Sequence, residues 1–411
     1  LVERTLINIK RRRGILCRNA RIIDGDSSCL HVIMFFLFWL SIGFIGYTFI
    51  GYPVAIWVVG RLSGKQLEFD KRPFSENASL PEITIVIPAH NEVEYLSAKI
   101  ISLRSSDYPQ EKMRILFVSD GSFDETNRIL ASHTDIDVLE YQPRQGKPYA
   151  LNLAMKNVTT PLVIFTDARQ LIAPDAMTLL VRSLMNSQIG AVSGELVHHR
   201  SASRTGQHVG LYWLYEKWIR KSESRVHSVA GVTGALYAIN TSDYEPIKED
   251  TILDDFEIPI QILKKGKRVV LLEGAELYDA TQDDAQKEKQ RKIRTLSGNY
   301  QSFARNSWLF NPLRNPVWIQ FISHKVMRLF VPYFMLIAFV TPFFLTGWVY
   351  RFIVVFQCLF YASALLGKLL PNFRNNKLIS FCYIFFELNA GSVISLKRYF
   401  YNQVEVRWNK V

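Results

Sequence analysis

The chain has 411 residues, of which 48% are hydrophobic and 21% charged, and a formal net charge of +12 from 49 Lys and Arg against 37 Asp and Glu. Long uncharged runs beside that many charges argue against an ordinary soluble domain and for a globular part joined to membrane helices. Lys10, Arg11, Arg12, Arg13, Arg18 and Arg21 precede the first apolar run, and Lys397, Arg398 and Arg407 follow the last. That placement suits lipid headgroups. With no recognisable binding motif, nucleic acid is excluded as a partner.

In chain order, a basic segment at 1–29 leads into Leu30–Val59, which has no charged residue. A single membrane span needs about 20 residues, so this 30–60 region is either one long tilted helix or a re-entrant hairpin. It is too long for a signal-peptide core. A polar linker at 61–80 follows. Ile83–Ile87 is a β-branched run closed by Pro88 and predicts a buried strand. Val93–Leu103 predicts a helix, Arg114–Val118 a strand, Asp124–Ala131 a helix and Asp137–Tyr141 a strand. Pro148–Lys156 predicts a helix and Leu162–Phe165 a strand. Such alternation predicts a parallel sheet covered on both faces, with ligands beyond the carboxyl ends of its strands.

Further on, Gly190–Leu196 and Val229–Ile239 read as strands. His208–Ser222 reads as a helix rich in Trp and Tyr, suited to a membrane interface, a sugar platform or a packed core. The α/β domain is placed at 81–310. Asn311–Lys325 reads as an amphipathic helix on the bilayer surface, within a segment 311–327. The region 328–397 holds three candidate spans, Leu329–Tyr350, Phe352–Leu370 and Leu378–Leu396, with Glu387 inside the third, and a basic tail covers 398–411. The cysteines Cys17, Cys29, Cys358 and Cys382 lack metal-ligand spacing and read as small buried hydrophobes.

Glu92, Asp120, Asp167 and Asp255 fall at strand ends or in nearby loops. Singly each is a turn former or helix cap. Together they suit a nucleotide diphosphate held through a divalent cation, Mg2+ or Mn2+, and a base for an acceptor hydroxyl. The motifs then match a family in order. Ile87-Pro88-Ala89-His90-Asn91-Glu92 is followed by Val118-Ser119-Asp120-Gly121-Ser122-Phe123-Asp124 and by Gly146-Lys147-Pro148-Tyr149-Ala150-Leu151-Asn152. Phe165-Thr166-Asp167-Ala168-Arg169, Val232-Thr233-Gly234-Ala235 and Leu253-Asp254-Asp255 complete the series. The chain resembles the inverting family 2 glycosyltransferases, and among them the membrane-bound polysaccharide synthases that include hyaluronan, chitin and cellulose synthases.

The resemblance covers roughly residues 80–310. It implies an α/β GT-A (Rossmann-like) glycosyltransferase domain with flanking transmembrane and interfacial helices. It places Pro88, His90, Glu92, Asp120, Lys147 and Asp167 at the nucleotide sugar, with a UDP sugar as the expected donor. Asp167 becomes the metal contact, Thr233, Gly234 and Asp254 the acceptor side, and Asp255 the catalytic base. Arg291 and Arg294 stand where the processive synthases carry Gln-x-x-Arg-Trp, and their guanidinium groups suit a diphosphate. Three departures stand out: Arg169 replaces the second Asp of Asp-x-Asp, Asp254 replaces Glu, and Thr295 replaces the Trp.

The expected partners are a nucleotide-sugar donor, a glycan or lipid-linked acceptor and the lipid bilayer. The expected product is a growing polysaccharide, with single transfer to a lipid carrier such as a polyprenyl phosphate, or a non-catalytic scaffold, as alternatives. Residence in the cell (inner) membrane with the catalytic domain facing the cytoplasm is expected. A single span at 30–60 would then put the basic N-terminus outside, against the positive-inside rule.

Overall fold

The computed structural model describes residues 29–63, 80–198, 204–279, 285–401 and 403. The basic segment before residue 29, most of the linker at 61–80 and most of the tail at 398–411 lie outside the described residues. Two compact units divide the chain: the described residues up to Gly51 with Phe330–Phe386, and Tyr52–Leu329 with the residues from Glu387 onward.

The second unit is built on an eight-stranded sheet. Its strands are β1 (Ile83–Ala89), β2 (Met113–Asp120), β3 (Ile136–Tyr141), β4 (Leu162–Thr166), β5 (Leu171–Ile172), β6 (Ile189–His198), β7 (Leu236–Asn240) and β8 (Arg268–Asp279), in the order β3-β2-β1-β4-β7-β6-β8-β5. β3, β2, β1 and β4 are parallel, with Ile85 level with Ile115 on one side and Ile164 on the other. Every residue of β1 is buried. Ile83, Ile85 and Ile87 enter one core with Phe117 and Ile164. Val86 enters the opposite core with Leu116, Val118 and Phe165. A strand buried on both faces reads as a continuous apolar run, which is why alternation was absent from this stretch of sequence.

Helices cover both faces. α1 (Cys29–Leu62) precedes the sheet; α2 (Val93–Arg104) follows β1, α3 (Thr126–Ala131) follows β2 and α4 (Lys147–Met155) follows β3. α2 buries Leu96, Ile100 and Leu103, spaced four and three apart, on one face. α4 begins where Gly146 takes φ +104° and Pro148 sits in the first turn, the position where a missing N–H costs nothing. α5 (Ala176–Leu184), α6 (Arg204–Val226), α7 (Asp254–Lys264) and α8 (Ala285–Arg305) complete this part.

The parallel arrangement expected of β1 to β4 is present; beyond them the sheet is mixed, with β7 antiparallel to both β4 and β6, and β5 antiparallel to β8. The expected strand Val229–Ile239 is strand only from Leu236; residues 229–235 form an irregular turn beside Asp255, whose carbonyl accepts from the Val232 N–H at 2.9 Å. β8 was not expected at all, because its Gly274, at φ +89°, and Glu273 interrupt the apolar pattern.

The apolar runs form α1, α9 (Trp318–Phe344), α10 (Trp348–Leu369) and α11 (Lys377–Phe400), four helices long and apolar enough to cross a membrane. The run at 30–60 is therefore one continuous helix rather than a hairpin. The separate amphipathic helix expected at Asn311–Lys325 does not form. Turns occupy 311–317, and the helix that starts at Trp318 continues to Phe344. Within the first unit, Phe44 stacks on Phe334 with ring centroids 3.9 Å apart, and Phe360 meets Phe385 edge-on at 6.0 Å. The same helices turn large apolar side chains outward, Phe36, Leu40, Phe352 and Phe356 among them. An outward apolar surface of this extent suits lipid better than water.

Ile85 is fully buried at the centre of the sheet. Ile85→Ala is expected to lower the unfolding free energy of the sheet unit by about 2–5 kcal/mol, read as a shifted midpoint in fluorescence-monitored denaturation in detergent; an unchanged midpoint would contradict this packing.

Candidate active site

The carboxyl ends of β1, β2 and β4 and the turn before β7 meet the start of α7. At the centre lies Lys147, in the first turn of α4. Its Nζ donates to Asp167 Oδ1 at 2.9 Å, lies 3.2 Å from Asp254 Oδ2 and is 3.5 Å from the Gly234 carbonyl. Burial alone would lower the pKa of this ammonium, but Asp167 and Asp254 outweigh it and hold the value above the ordinary lysine range. Asp254 Oδ2 is buried and, despite the ion-pair distance, has no hydrogen-bond partner among the described residues.

Asp255 follows at the start of α7. Its carboxylate makes no hydrogen bond with any described residue, a state suited to accepting a proton. Burial first, and the neighbouring Asp254 second, push its pKa up to about 6; Lys147, Lys325 and Arg294 pull the other way. Gly234 makes this approach feasible: a Cβ there would stand 3.0 Å from both the Cβ and Oδ2 of Asp255. Thr233 is held by Ser193, whose Oγ accepts from the Thr233 N–H at 2.8 Å.

Asp120, at the end of β2, is fully buried and fastens the next turn. Its carboxylate accepts from the Gln145 N–H at 2.6 Å, from the Gly146 N–H at 2.9 Å and from the Tyr141 hydroxyl at 3.0 Å. It thereby aims Lys147. His90 donates from Nδ1 to the Asp120 carbonyl at 2.7 Å, and burial lowers its pKa. Pro88 is part of β1 itself, level with Val118. Glu92 is buried before α2, and its N–H donates to Thr126 Oγ1 at 2.9 Å.

The basic pair separates. Arg294 is half-buried on α8; its Nη2 donates to the Ile252 carbonyl at 3.4 Å, just ahead of Asp254 and Asp255, and its Nε is buried without a hydrogen-bond partner among the described residues. Arg291 is exposed one turn earlier. The structure thus gathers Lys147, Asp167, Gly234, Asp254, Asp255 and Arg294. Pro88, His90, Glu92 and Asp120 lie at or just beyond the neighbouring strand ends, and Arg291 is exposed on α8.

Two groups escaped the sequence reading. Lys99 on α2 is fully buried, with Nζ donating to Thr166 Oγ1 and to the Gln170 carbonyl, both at 2.8 Å, so it clamps the ends of the loop that carries Asp167. Burial pulls its pKa down to about 7. A lysine between Leu96 and Ile100 on an apolar helix face was the available signal. The second group is the cluster of Glu216 and Glu223 on α6 with His324 and Arg328 at the start of α9.

A divalent cation would find two carboxylates, Asp167 and Asp254, converging on the point now held by the Lys147 ammonium. The buried, hydrogen-bond-free Asp254 Oδ2 fits that role. Two carboxylates completed by phosphate oxygens suit Mg2+ or Mn2+, although among the described residues no cluster of three or more His, Cys, Asp or Glu could hold a metal alone.

In an open α/β sheet ligands bind beyond the carboxyl ends of the strands, and that is where these acids and cations gather. The sequence matches the model of glycosyl transferase family 2 over residues 84–245. It is 30% identical over 124 residues to an N-acetylglucosaminyltransferase of Bradyrhizobium elkanii, covering 29% of this chain and 68% of that protein. It is 24% identical over 247 residues to a poly-β-1,6-N-acetyl-D-glucosamine synthase of Staphylococcus epidermidis, covering 56% of each. The chain spans about half the length of several curated relatives it matches. In fold it is similar to a mannosyltransferase of Pyrobaculum calidifontis solved with GDP-mannose and Mn2+, with a TM-score of 0.65 at 19% identity over 89% of this chain and 99% of that one. The chain belongs to glycosyl transferase family 2, is a glycosyltransferase and has the GT-A fold.

Gly234→Ala is expected to displace the Asp255 carboxylate and cut kcat at least tenfold with the thermal unfolding midpoint unchanged. Undiminished turnover would show that this close approach has no bearing on activity.

Proposed function

We propose that the chain is a membrane-embedded, inverting glycosyltransferase that moves a sugar from a nucleotide sugar onto a growing glycan. The observation that carries this reading is the half-buried carboxylate of Asp255, which makes no hydrogen bond with any described residue and lies beside the Lys147–Asp167–Asp254 cluster. The names of the relatives make UDP-N-acetylglucosamine the first donor to try and a poly-N-acetylglucosamine type of product the first to look for.

In this mechanism Asp255 takes the proton of an acceptor hydroxyl held near Thr233 and Gly234. The freed oxygen attacks the anomeric carbon from the face opposite the diphosphate, the bond to the diphosphate oxygen breaks, and the nucleoside diphosphate leaves. Lys147 and Arg294 meet the charge that develops on the departing phosphate. Asp167 and Asp254 would hold a divalent cation, which supplies further charge stabilisation there. Asp120 and Lys99 set the turn and the loop from which Lys147 and Asp167 reach in.

Asp255→Asn is expected to retain donor binding and to lose at least 1000-fold in nucleoside diphosphate release. In the wild type, kcat/KM should fall as pH drops below about 6, where the free enzyme's Asp255 takes up a proton. The sign for stability is opposite: a pKa raised by burial means the charged form is disfavoured in the fold, so Asp255→Asn should leave stability equal or higher at pH 7–8. Full turnover in the variant would remove Asp255 from the role of base.

Nucleotide sugars are made in the cytoplasm, so the catalytic unit should face it, with the four helices embedded in the cell membrane. Protease added to sealed inside-out vesicles should cleave the catalytic unit; its protection there would reverse the orientation.

A further inference from the structure

On α6, Glu216, Arg220 and Glu223 recur at spacings of four and three and therefore share one face. The two glutamates are engaged with the start of α9: Arg328 Nη1 donates to Glu216 Oε1 at 2.9 Å, and His324 Nδ1 lies 2.8 Å from Glu223 Oε1. Arg220, between them, turns to other partners. Nη2 of this half-buried side chain donates to the Gly231 carbonyl at 3.1 Å and to Ser193 Oγ at 3.4 Å, and Nη1 donates to Thr233 Oγ1 at 3.3 Å. All three acceptors are neutral oxygens, and those of Gly231 and Thr233 belong to the turn before β7.

That turn is the one packed on Asp255. The Gly231 carbonyl and the Val232 N–H belong to one peptide group and, in a trans peptide, point opposite ways. The carbonyl accepts from Arg220, while the N–H donates to the Asp255 carbonyl at 2.9 Å. A single peptide therefore lies between the guanidinium and the backbone of Asp255, and hydrogen bonds in series strengthen one another. The next residue is held as well: Ser193 Oγ accepts from the Thr233 N–H at 2.8 Å, and Arg220 reaches the Thr233 hydroxyl. Gly234 then runs so close that a Cβ there would stand 3.0 Å from Asp255 Oδ2. The rigid fork of an arginine can span a carbonyl and a hydroxyl two residues apart, whereas an ammonium offers a single point of attachment.

We propose that Arg220 is a positioning residue for the transfer step: through the Gly231–Val232 peptide and the Thr233 hydroxyl it holds the turn 231–234 in place against Asp255, where the acceptor hydroxyl is to lose its proton. The inference deepens the proposed mechanism and rests on it for the role of Asp255. Arg220 itself touches neither donor nor acceptor; it acts by fixing the wall against which the acceptor lies.

The test compares the wild type with Arg220→Gln, Arg220→Lys and Thr233→Val, each as the full chain in detergent. Hydrogen–deuterium exchange reads the hold without turnover, and transfer from UDP-N-acetylglucosamine to a short β-1,6-linked N-acetylglucosamine oligomer reads its consequence. Arg220→Gln is expected to speed exchange at 229–235 while exchange across β1 stays as in the wild type, and to lower kcat about tenfold or more with donor KM and UDP affinity within about threefold. Arg220→Lys keeps the charge without the fork and should stay nearer the Gln variant than the wild type. Thr233→Val removes one branch with little change of shape; it should show the same signs at smaller size, and it carries the test if the arginine variants do not fold. Unchanged exchange at 229–235, or faster exchange with undiminished kcat, would overturn the proposal. Full recovery by Lys would assign the effect to charge alone, and a parallel loss of UDP affinity would assign it to the donor side; either result also overturns the hold. Full turnover in Asp255→Asn would remove the base while exchange still decides the hold. Should the wild type consume none of this donor, exchange alone decides, and it is the choice of donor that fails.

Discussion

One ammonium group organises this active site. Lys147 stands between the carboxylates of Asp167 and Asp254 and near the Gly234 carbonyl, so one charge draws together β4, the turn before β7 and the start of α7. Two acids this close repel unless a cation lies between them. The lysine satisfies that requirement without a ligand, and a diphosphate with its cation would satisfy it on binding. The surrounding structure serves the same point. Asp120 fastens the turn that leads into Lys147, and Lys99 clamps the loop that carries Asp167.

Asp255 differs from its neighbours in that its carboxylate makes no hydrogen bond or ion pair with any described residue. It is adjacent in sequence to an acid that is ion-paired, and it is buried enough for its proton affinity to rise. Two consecutive aspartates at one helix start thus have different surroundings: Asp254 faces the ammonium, and Asp255 faces the turn 231–234. The absence of side chains at Gly231 and Gly234 keeps that turn close to Asp255.

Much of this was legible in the sequence, for definable reasons. β1, β2 and β4 are short β-branched runs closed by polar residues, so the strands and their carboxyl ends were readable in the sequence. The acids at those ends and the Gly146-Lys147 step at the start of α4 were singled out by residue type and order. The antiparallel turn of β7 was not legible, because a buried strand looks the same in either direction. β8 was hidden by Glu273 and Gly274. Lys99 escaped notice because a lone charge within a helical pattern reads as surface. The stretch at 311–325 read as amphipathic from its mixture of Trp, Phe and basic residues, yet His324 and Arg328 turn toward the glutamates of α6, and the helix that starts at Trp318 runs on as α9.

The account's central claim is that the diphosphate of a sugar nucleotide lies among Lys147, Asp167 and Arg294, with its anomeric carbon within reach of Asp255. A cryo-electron microscopy map of the full chain in lipid nanodiscs with UDP and Mn2+ tests this directly. The account predicts phosphate and metal density between Asp167 and Asp254, with the Lys147 side chain moved off the carboxylates and onto the phosphate. Nucleotide density elsewhere on the sheet, or a Lys147 still bridging the two acids with UDP bound, would contradict it.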